Sequence, residues 1–506
     1  MPFFFIMNYH HLLFILFVII SIWNKSYSQS AEIIQPRYKV TLPEAHIGDL
    51  DIDLKLLESY EPVADQEKQF YKDARAVFAE TEHADFTDPR ILEAAQQHRI
   101  ILLGGQMLGD LKDDGVTLWL RPASAKPLKV IVTTQNGRNK KTYSVNSVEP
   151  GTDYRIKLDG LASDSEYRYA VYVKKNRIAE GRFRTAPSFN EQNIIRLAFG
   201  SCFHKIGLHN PNLINQILQR EPLAMMLLGD IAVDDRENNM NMHRSDYLLR
   251  DMSKSWKRLS ANVPLYTSWD DHDYLNNDLS GIPERFNPAD RKALRTVWQQ
   301  NWNNPEYKGE GVYFNTRLGA VELIMLDTRS CREAQKQGQF GSYLGTKQLN
   351  WLKETLKNST APFKVISSGT MWSDYVTNGK DSWGRWDTLA REEIFNLIET
   401  ENITGVLLIS GDRHGARGFL IPRPSGYNLY EFEAASLGGV PGPDALAADA
   451  VHQIFGYHGT ETIAFGEFTF NTIGDKPLVT FRLIDEYGHI LEEHELSYSR
   501  LTPYNQ

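Results

Sequence analysis

Five short blocks of the sequence set reactive side chains directly behind an apolar run: Gly200-Ser201-Cys202-Phe203-His204, Gly229-Asp230, Trp269-Asp270-Asp271-His272-Asp273, Leu326-Asp327-Thr328-Arg329 and Ser410-Gly411-Asp412-Arg413-His414. The runs that precede them, residues 194–199, 223–228, 263–268, 321–326 and 406–409, read as buried strands. In an open α/β sheet, ligands bind outside the carboxyl ends of the strands, so these groups should meet on one edge. That many carboxylates cannot share an edge in ionised form unless cations offset them; otherwise they take up protons. The chemistry that needs such a collection is a multi-metal site, in which one carboxylate bridges two ions about 3.5–4 Å apart and a bound hydroxide is delivered to phosphorus.

The elements that must position these groups follow from pattern. From residue 194 onward strands alternate with helices, as in a layered α/β domain. Asn210-Pro211 and Asn287-Pro288 supply a cap and a first residue for helices over 212–220 and 289–301. Residues 364–367 add a strand, and residues 464–498 return to alternating strands that would complete a second sheet. Before this region, residues 112–187 carry short period-two runs separated by turn clusters, which suggests a small β-sandwich resembling a fibronectin type III module. Residues 29–111 read as a helical lead segment with Asp88-Pro89 as one start signal. Its histidines His46, His83 and His98 are isolated, and a surface or satisfied core role is expected for each. The catalytic domain is expected over residues 188–506.

Length and charge narrow the class. A chain of 506 residues is too long for one average domain, and 42% hydrophobic with 24% charged residues is ordinary for a globular protein with a sizeable core. A net charge of -9 argues against sequence-specific nucleic-acid binding, which requires a basic footprint, but is compatible with a small phosphorylated substrate. Residues 12–20 are unbroken apolar, and Ser26-Tyr27-Ser28 fits cleavage before Gln29, so residues 1–28 read as an export signal rather than a stable membrane span. Export places the protein in the periplasm, at the cell surface or outside the cell. There the two cysteines, Cys202 and Cys331, would be free to close a disulfide, but the strand-end position of Cys202 favours a metal-bound thiolate and leaves Cys331 as a structural thiol.

The ordered blocks resemble those of the calcineurin-like metallophosphoesterases, and more specifically the PhoD-like alkaline phosphatase/phosphodiesterase branch. That branch carries Gly-Ser-Cys, then Trp-Asp-Asp-His followed by an asparagine, then Gly-Asp-x-His, and all three are present here. The resemblance implies an α/β fold, a two-sheet metallophosphoesterase sandwich (α/β/β/α) preceded by the small fibronectin-type-III-like sandwich. It places metal ligands at Cys202, Asp230, Asp271, Asp412 and His414, with Asp230 bridging, and puts Asn276 in contact with metal or phosphate. His272 fits a general acid, with an orienting role under Asp270 or Asp273 as the alternative. Two positions depart from the branch. Val233 stands where a tyrosine is usual, leaving Asp234 or Asp235 as replacement oxygen ligands or as a solvated salt-bridge cluster, and Cys202-Phe203-His204 offers His204 as an extra ligand.

Two or more metal ions are therefore implied. A thiolate and His414 favour iron or zinc at one position, and Asp271 with Asp412 favours calcium, manganese or magnesium at the other. The implied activity is hydrolysis of phosphate mono- or diesters by metal-bound hydroxide; the rival reading is an inactive surface-binding protein that retains structural metal. Arg329, Arg385, Arg391, Arg413 and Arg417 lie near the strand ends as candidate phosphate contacts, and Trp372 and Trp383 can wall the pocket or belong to the core. The oligomeric state is not encoded in any pattern of the chain.

Overall fold

The computed structural model describes residues 33–376, 381–447 and 450–503; the expected export signal, residues 1–28, lies outside them. The lead segment folds into four helices, α1 (Leu42–Ile47), α2 (Leu50–Leu57), α3 (Asp65–Glu80) and α4 (Pro89–Gln97). Three of the four starts have a local cause. Thr41 and Glu44 form a capping box at α1, Asp49 accepts from Ile52 N at α2, and Asp88 caps α4 with Pro89 in its first turn. Ile52, Leu56, Phe70, Tyr71, Ala74 and Phe78 close an apolar cluster with Leu248 and Leu249, residues of the helix Met240–Met252.

The helical expectation fails at its end, because Leu102–Gly109 is a strand, β1. Gly104 and Gly105 interrupt its apolar alternation, and the pairing with the next strand shifts register there, which hides the period-two signal. Six more strands follow: β2 (Val116–Pro122), β3 (Leu128–Thr134), β4 (Lys141–Val145), β5 (Tyr154–Leu158), β6 (Glu166–Val173) and β7 (Asn176–Arg184). They form two antiparallel sheets, ordered β1-β2-β5 and β4-β3-β6-β7. Leu118, Leu120, Val130, Val132, Ile156 and Val171 from both belong to one apolar cluster.

The remaining strands are β8 (Ile194–Gly200), β9 (Ala224–Leu228), β10 (Leu265–Ser268), β11 (Phe314–Leu318), β12 (Val321–Met325), β13 (Phe363–Ser367), β14 (Val406–Ser410), β15 (Gly415–Pro422), β16 (Asn428–Ala434), β17 (Gln453–His458), β18 (Ala464–Asn471), β19 (Leu478–Asp485) and β20 (Ile490–Ser497). A six-stranded sheet runs β10-β9-β8-β18-β19-β20, and a seven-stranded sheet runs β11-β12-β13-β14-β16-β15-β17. Within each, one block is parallel: β8 with β9 and β10, and β12 with β13, β14 and β16. Phe432 of the larger sheet stacks on Phe481 of the smaller at 4.1 Å between ring centroids, joining their apolar faces.

The parallel blocks matter for function because five of their carboxyl ends stop just short of a reactive group. Cys202 follows β8, Asp230 follows β9, Asp270 and Asp271 follow β10, Asp327 and Arg329 follow β12, and Asp412 follows β14. The intervening helices Pro211–Arg220 and Pro288–Asn301 start at the expected caps, Asn210 and Asn287, each accepting from two backbone N–H groups. No helix among the described residues is long and apolar enough to cross a membrane.

Candidate metal centre

Leaving a strand to converge on one point requires the backbone to break the pleat. Cys202, His204, Asp230, Asp412 and His414 all have positive φ, at 58°, 45°, 55°, 70° and 35°. L-residues enter this region at a cost of about 1–2 kcal/mol, and such residues persist where the surroundings over-determine them, characteristically at functional sites. Gly229, at φ 100°, precedes Asp230 because a Cβ there would lie 2.3 Å from the Cβ of Asp270. The turn after β9 thus packs directly against the turn after β10.

These turns bring together a first group of four: Cys202, His204, Asp230 and His414, whose ligand atoms lie within 4.8 Å of one another. Nε2 of His204 and Nε2 of His414 are 3.2 Å apart. Each ring is fixed through its other nitrogen, His204 Nδ1 to Asp234 Oδ1 at 2.8 Å and His414 Nδ1 to the carbonyl of Pro441. This is the wiring of metal-binding histidines, in which an outer hydrogen bond fixes tautomer and orientation. A second group is Asp230, Asp271 and His272, with His272 Nδ1 on Asp235 Oδ1 at 2.7 Å, and a third is Asp270, Asp271 and Asp412. Asp230 belongs to the first two groups and Asp271 to the last two, so the groups form one continuous cluster that implies at least two metal sites.

The charge balance supports cation binding. Burial, reinforced by neighbouring carboxylates, pushes Asp230 and Asp412 well above the ordinary carboxylate range, and burial raises Asp270 to about 6 and Asp273 to about 7. Burial and Asp230 push the Cys202 thiol up, while burial and His204 lower His414 to about 3. Asp271 is held low despite its burial, because Arg329 and His272 flank it. Asp230 Oδ1, Asp270 Oδ2, Asp271 Oδ1 and Asp412 Oδ2 are buried without a hydrogen-bond partner. Unpartnered buried carboxylate oxygens beside a thiol and two imidazole nitrogens fit metal ions of mixed softness.

The expected ligands Cys202, Asp230, Asp271, Asp412 and His414 therefore lie in one cluster, and His204 joins them. His272 is held by Asp235, not by Asp270 or Asp273 of the alternative reading: Asp270 pairs with Arg329, and Asp273 accepts from the backbone of Asp230, Ile231 and Asp270. Asp234 and Asp235 thus act on histidines. Val233 is fully buried in the core. Asn276 is engaged at both ends of its amide by Glu237.

The arginines are mostly committed elsewhere. Arg329 is buried among Asp270, Asp271, Asp381 and Asp412, and Arg417 pairs with buried Glu433 at 2.7 Å. Arg413, its side chain 15% exposed, lies at the rim 3.5 Å from Asp412. Trp372 and Trp383 are core, stacked at 4.7 Å and fully buried. Both cysteines are free. The residue that sequence reasoning missed is His46. Expected as surface or satisfied core, it stands with its Nδ1 3.3 Å from Asp235 Oδ2 and its ring 4.7 Å from that of His272. Only the tertiary packing of α1 reveals it.

The model of the PhoD-like phosphatase family matches residues 228–438, which include Asp230, Asp271, Asp412 and His414. Over that stretch the chain is similar to the PhoD-like phosphatases. Alkaline phosphatase D of Bacillus subtilis (strain 168) is 22% identical over 375 residues, covering 62% of this chain; the chain spans 64% of that relative's length. A solved structure of PhoD superposes with a TM-score of 0.62 at 19% identity, covering 78% of this chain and 88% of that one. Purple acid phosphatase PPD1 from yellow lupin (Lupinus luteus) seeds gives 0.56 at 15% identity, covering 78% and 74%. The fold is thus an α/β phosphoesterase-like fold, related to the PhoD and purple acid phosphatase architectures.

Proposed function

We propose that the protein is an exported, metal-dependent phosphoesterase that hydrolyses phosphate mono- or diesters of small molecules. The observation that carries this reading is the position of Asp230, shared by a Cys/His/His group on one side and an Asp/His group on the other. Cys202, His204, Asp230 and His414 would hold one ion, and their sulfur and nitrogen donors suit iron or zinc. Asp230 and Asp271 would hold a second, with Asp412 beside Asp271 as a further oxygen donor, and such donors suit calcium, manganese or magnesium. When bound, such ions polarise the phosphoryl group and acidify a water nucleophile.

The chain's own side chains supply the rest. His272 is held charged against the cost of its burial by Asp271, Asp230 and Asp235. With Nδ1–H donated to Asp235, its Nε2–H is the proton available to a departing alkoxide, a general-acid role. Asp234 and Asp235 fix the imidazoles of His204 and His272, and Arg413 at the rim is placed to meet the phosphate anion. Asn276 acts through the loop it ties to Glu237.

The order of the small sheets supports a fibronectin-type-III-like sandwich, with β1 extending it ahead of residues 112–187. The two large sheets support an α/β/β/α catalytic domain over residues 188–506, behind the lead segment of residues 29–111. The apolar leader pattern in residues 1–28 supports export to the periplasm, the cell surface or the medium. The test is turnover of p-nitrophenyl phosphate and bis-p-nitrophenyl phosphate by the purified protein before and after chelation. Hydrolysis that is lost on chelation and restored by added metal is expected; a metal-loaded protein that hydrolyses neither ester contradicts the reading.

A further inference from the structure

Helix α1 is short, yet it is locked against the metal centre from several directions. Arg236 donates to the carbonyls of His46 and Ile47 at 3.1 and 3.5 Å, and Arg75 donates to the carbonyl of Gly48 at 2.6 Å. Gly48 ends the helix at φ 56°, where a Cβ would lie 2.0 Å from the Arg236 guanidinium, so this position requires glycine. Arg75 also binds Asp53 at 2.8 Å. Lys205, next to His204 in the chain, lies 3.6 Å from Asp53 and 3.3 Å from Asp246, which in turn binds Arg236 at 2.7 Å. A buried chain of alternating charges, Arg75, Asp53, Lys205, Asp246 and Arg236, therefore fastens the lead segment to the turns behind β8 and β9.

That anchorage delivers one imidazole. His46 Nδ1 faces Asp235 Oδ2 at 3.3 Å while His272 Nδ1 takes Asp235 Oδ1 at 2.7 Å, so one carboxylate is held between two rings, one on each oxygen. The His46 ring packs 4.7 Å from that of His272 and 5.8 Å from that of His204, and it groups with His204 and Asp234 as well as with His272 and Asp235. His46 thus touches both carboxylate–histidine pairs from behind.

We propose that His46 is a positioning residue of the metal centre: by holding Asp235 and packing on the rings of His272 and His204, it makes the lead segment part of the active centre. The inference rests on the metal-centre reading above. His46 faces Asp235 as a close polar partner at 3.3 Å, and loss of outer partners of a metal centre typically weakens metal binding or activity by about 10–100-fold.

The test uses the full mature chain and three proteins: wild type, His46→Ala, and His46→Asn, whose amide N–H can replace Nδ1–H toward Asp235. Metal retained after dialysis against graded chelator is measured by elemental analysis, with kcat and KM for p-nitrophenyl phosphate alongside and thermal unfolding as the check on folding. His46→Ala is expected to release one metal at roughly tenfold lower chelator or less, to lose kcat with KM little changed, and to be largely rescued in His46→Asn. Unchanged retention and kcat in His46→Ala overturn the proposal while leaving the metal centre standing. A rise in KM alone at full metal content overturns it too, since that places His46 on substrate. Should His46→Ala fail to fold, a His46→Asn protein that folds but shows no recovery of metal retention overturns it. A wild type that retains no metal overturns both readings.

Discussion

Nε2 of His204 lies 3.2 Å from Nε2 of His414, across 210 residues of sequence, with Nδ1 of each ring fixed by an oxygen. Two imidazole lone pairs aimed at the same point repel unless a proton or a cation lies between them. Burial lowers His414 to about 3, so a proton is poorly held on that ring, and under the proposed function a shared ion would take its place. Asp234, which accepts from His204 Nδ1 at 2.8 Å, is then an outer partner of that ion.

Replacing it tests this directly. Asp234→Asn should weaken metal binding by about 10–100-fold in competition with a chelator while the secondary structure persists. Unchanged metal affinity would show that the orientation of His204 does not depend on its carboxylate.

Arg329 presents a different dependency. Its buried guanidinium contacts Asp270, Asp271, Asp381 and Asp412, the last at 3.1 Å. Removing one partner from a buried ion network leaves uncompensated charge, at a cost of about 3–5 kcal/mol. Arg329→Gln is therefore expected to lower the unfolding free energy of the metal-free protein, measured by urea denaturation, by that amount, and a smaller loss in the metal-loaded protein would show that bound cations share the task. An unaltered unfolding free energy in both would contradict the role assigned to Arg329.

Much of this centre is legible in the chain, and what is not has identifiable causes. The strands β8, β9, β10, β12 and β14 announce themselves as apolar runs, and the rule that ligands gather at strand carboxyl ends collects Cys202, Asp230, Asp271, Asp412 and His414. The roles of Asp234 and Asp235 are harder, because two acids followed by Arg236 read equally as a surface salt bridge. Their real partners, His204 and His272, and that of Arg236, Asp246, are set by tertiary packing. Strand β1 is obscured by its two glycines. His46 carries no local signal: it sits in a six-residue helix, and its function follows only from where Arg75, Arg236 and Lys205 dock that helix.

Lys364, on β13, is nearly fully buried, with Nζ 3.1 Å from the carbonyl of Thr404. Burial lowers its pKa from 10.5 to about 8, against the pull of Glu322. Between these values the unfolded chain binds more protons than the folded one, so stability attributable to this group rises with pH; below about 8 its cost is present in full. Lys364→Met should therefore stabilise the protein at pH 7, by up to about 3 kcal/mol, with the advantage fading toward pH 10.5. Denaturation of both proteins at pH 7 and pH 10.5 checks this, and an advantage that grows with pH would contradict it.

The central claim is that Asp230 joins two metal sites in one hydrolytic centre, and one variant tests it most directly. Metal content and p-nitrophenyl phosphate turnover are measured on the same samples of wild type and Asp230→Asn, with circular dichroism confirming that both are folded. Two or more bound ions with turnover in wild type, against loss of at least one ion and of turnover in Asp230→Asn, is the predicted result. An Asp230→Asn protein that keeps both its full metal complement and its turnover would contradict the account.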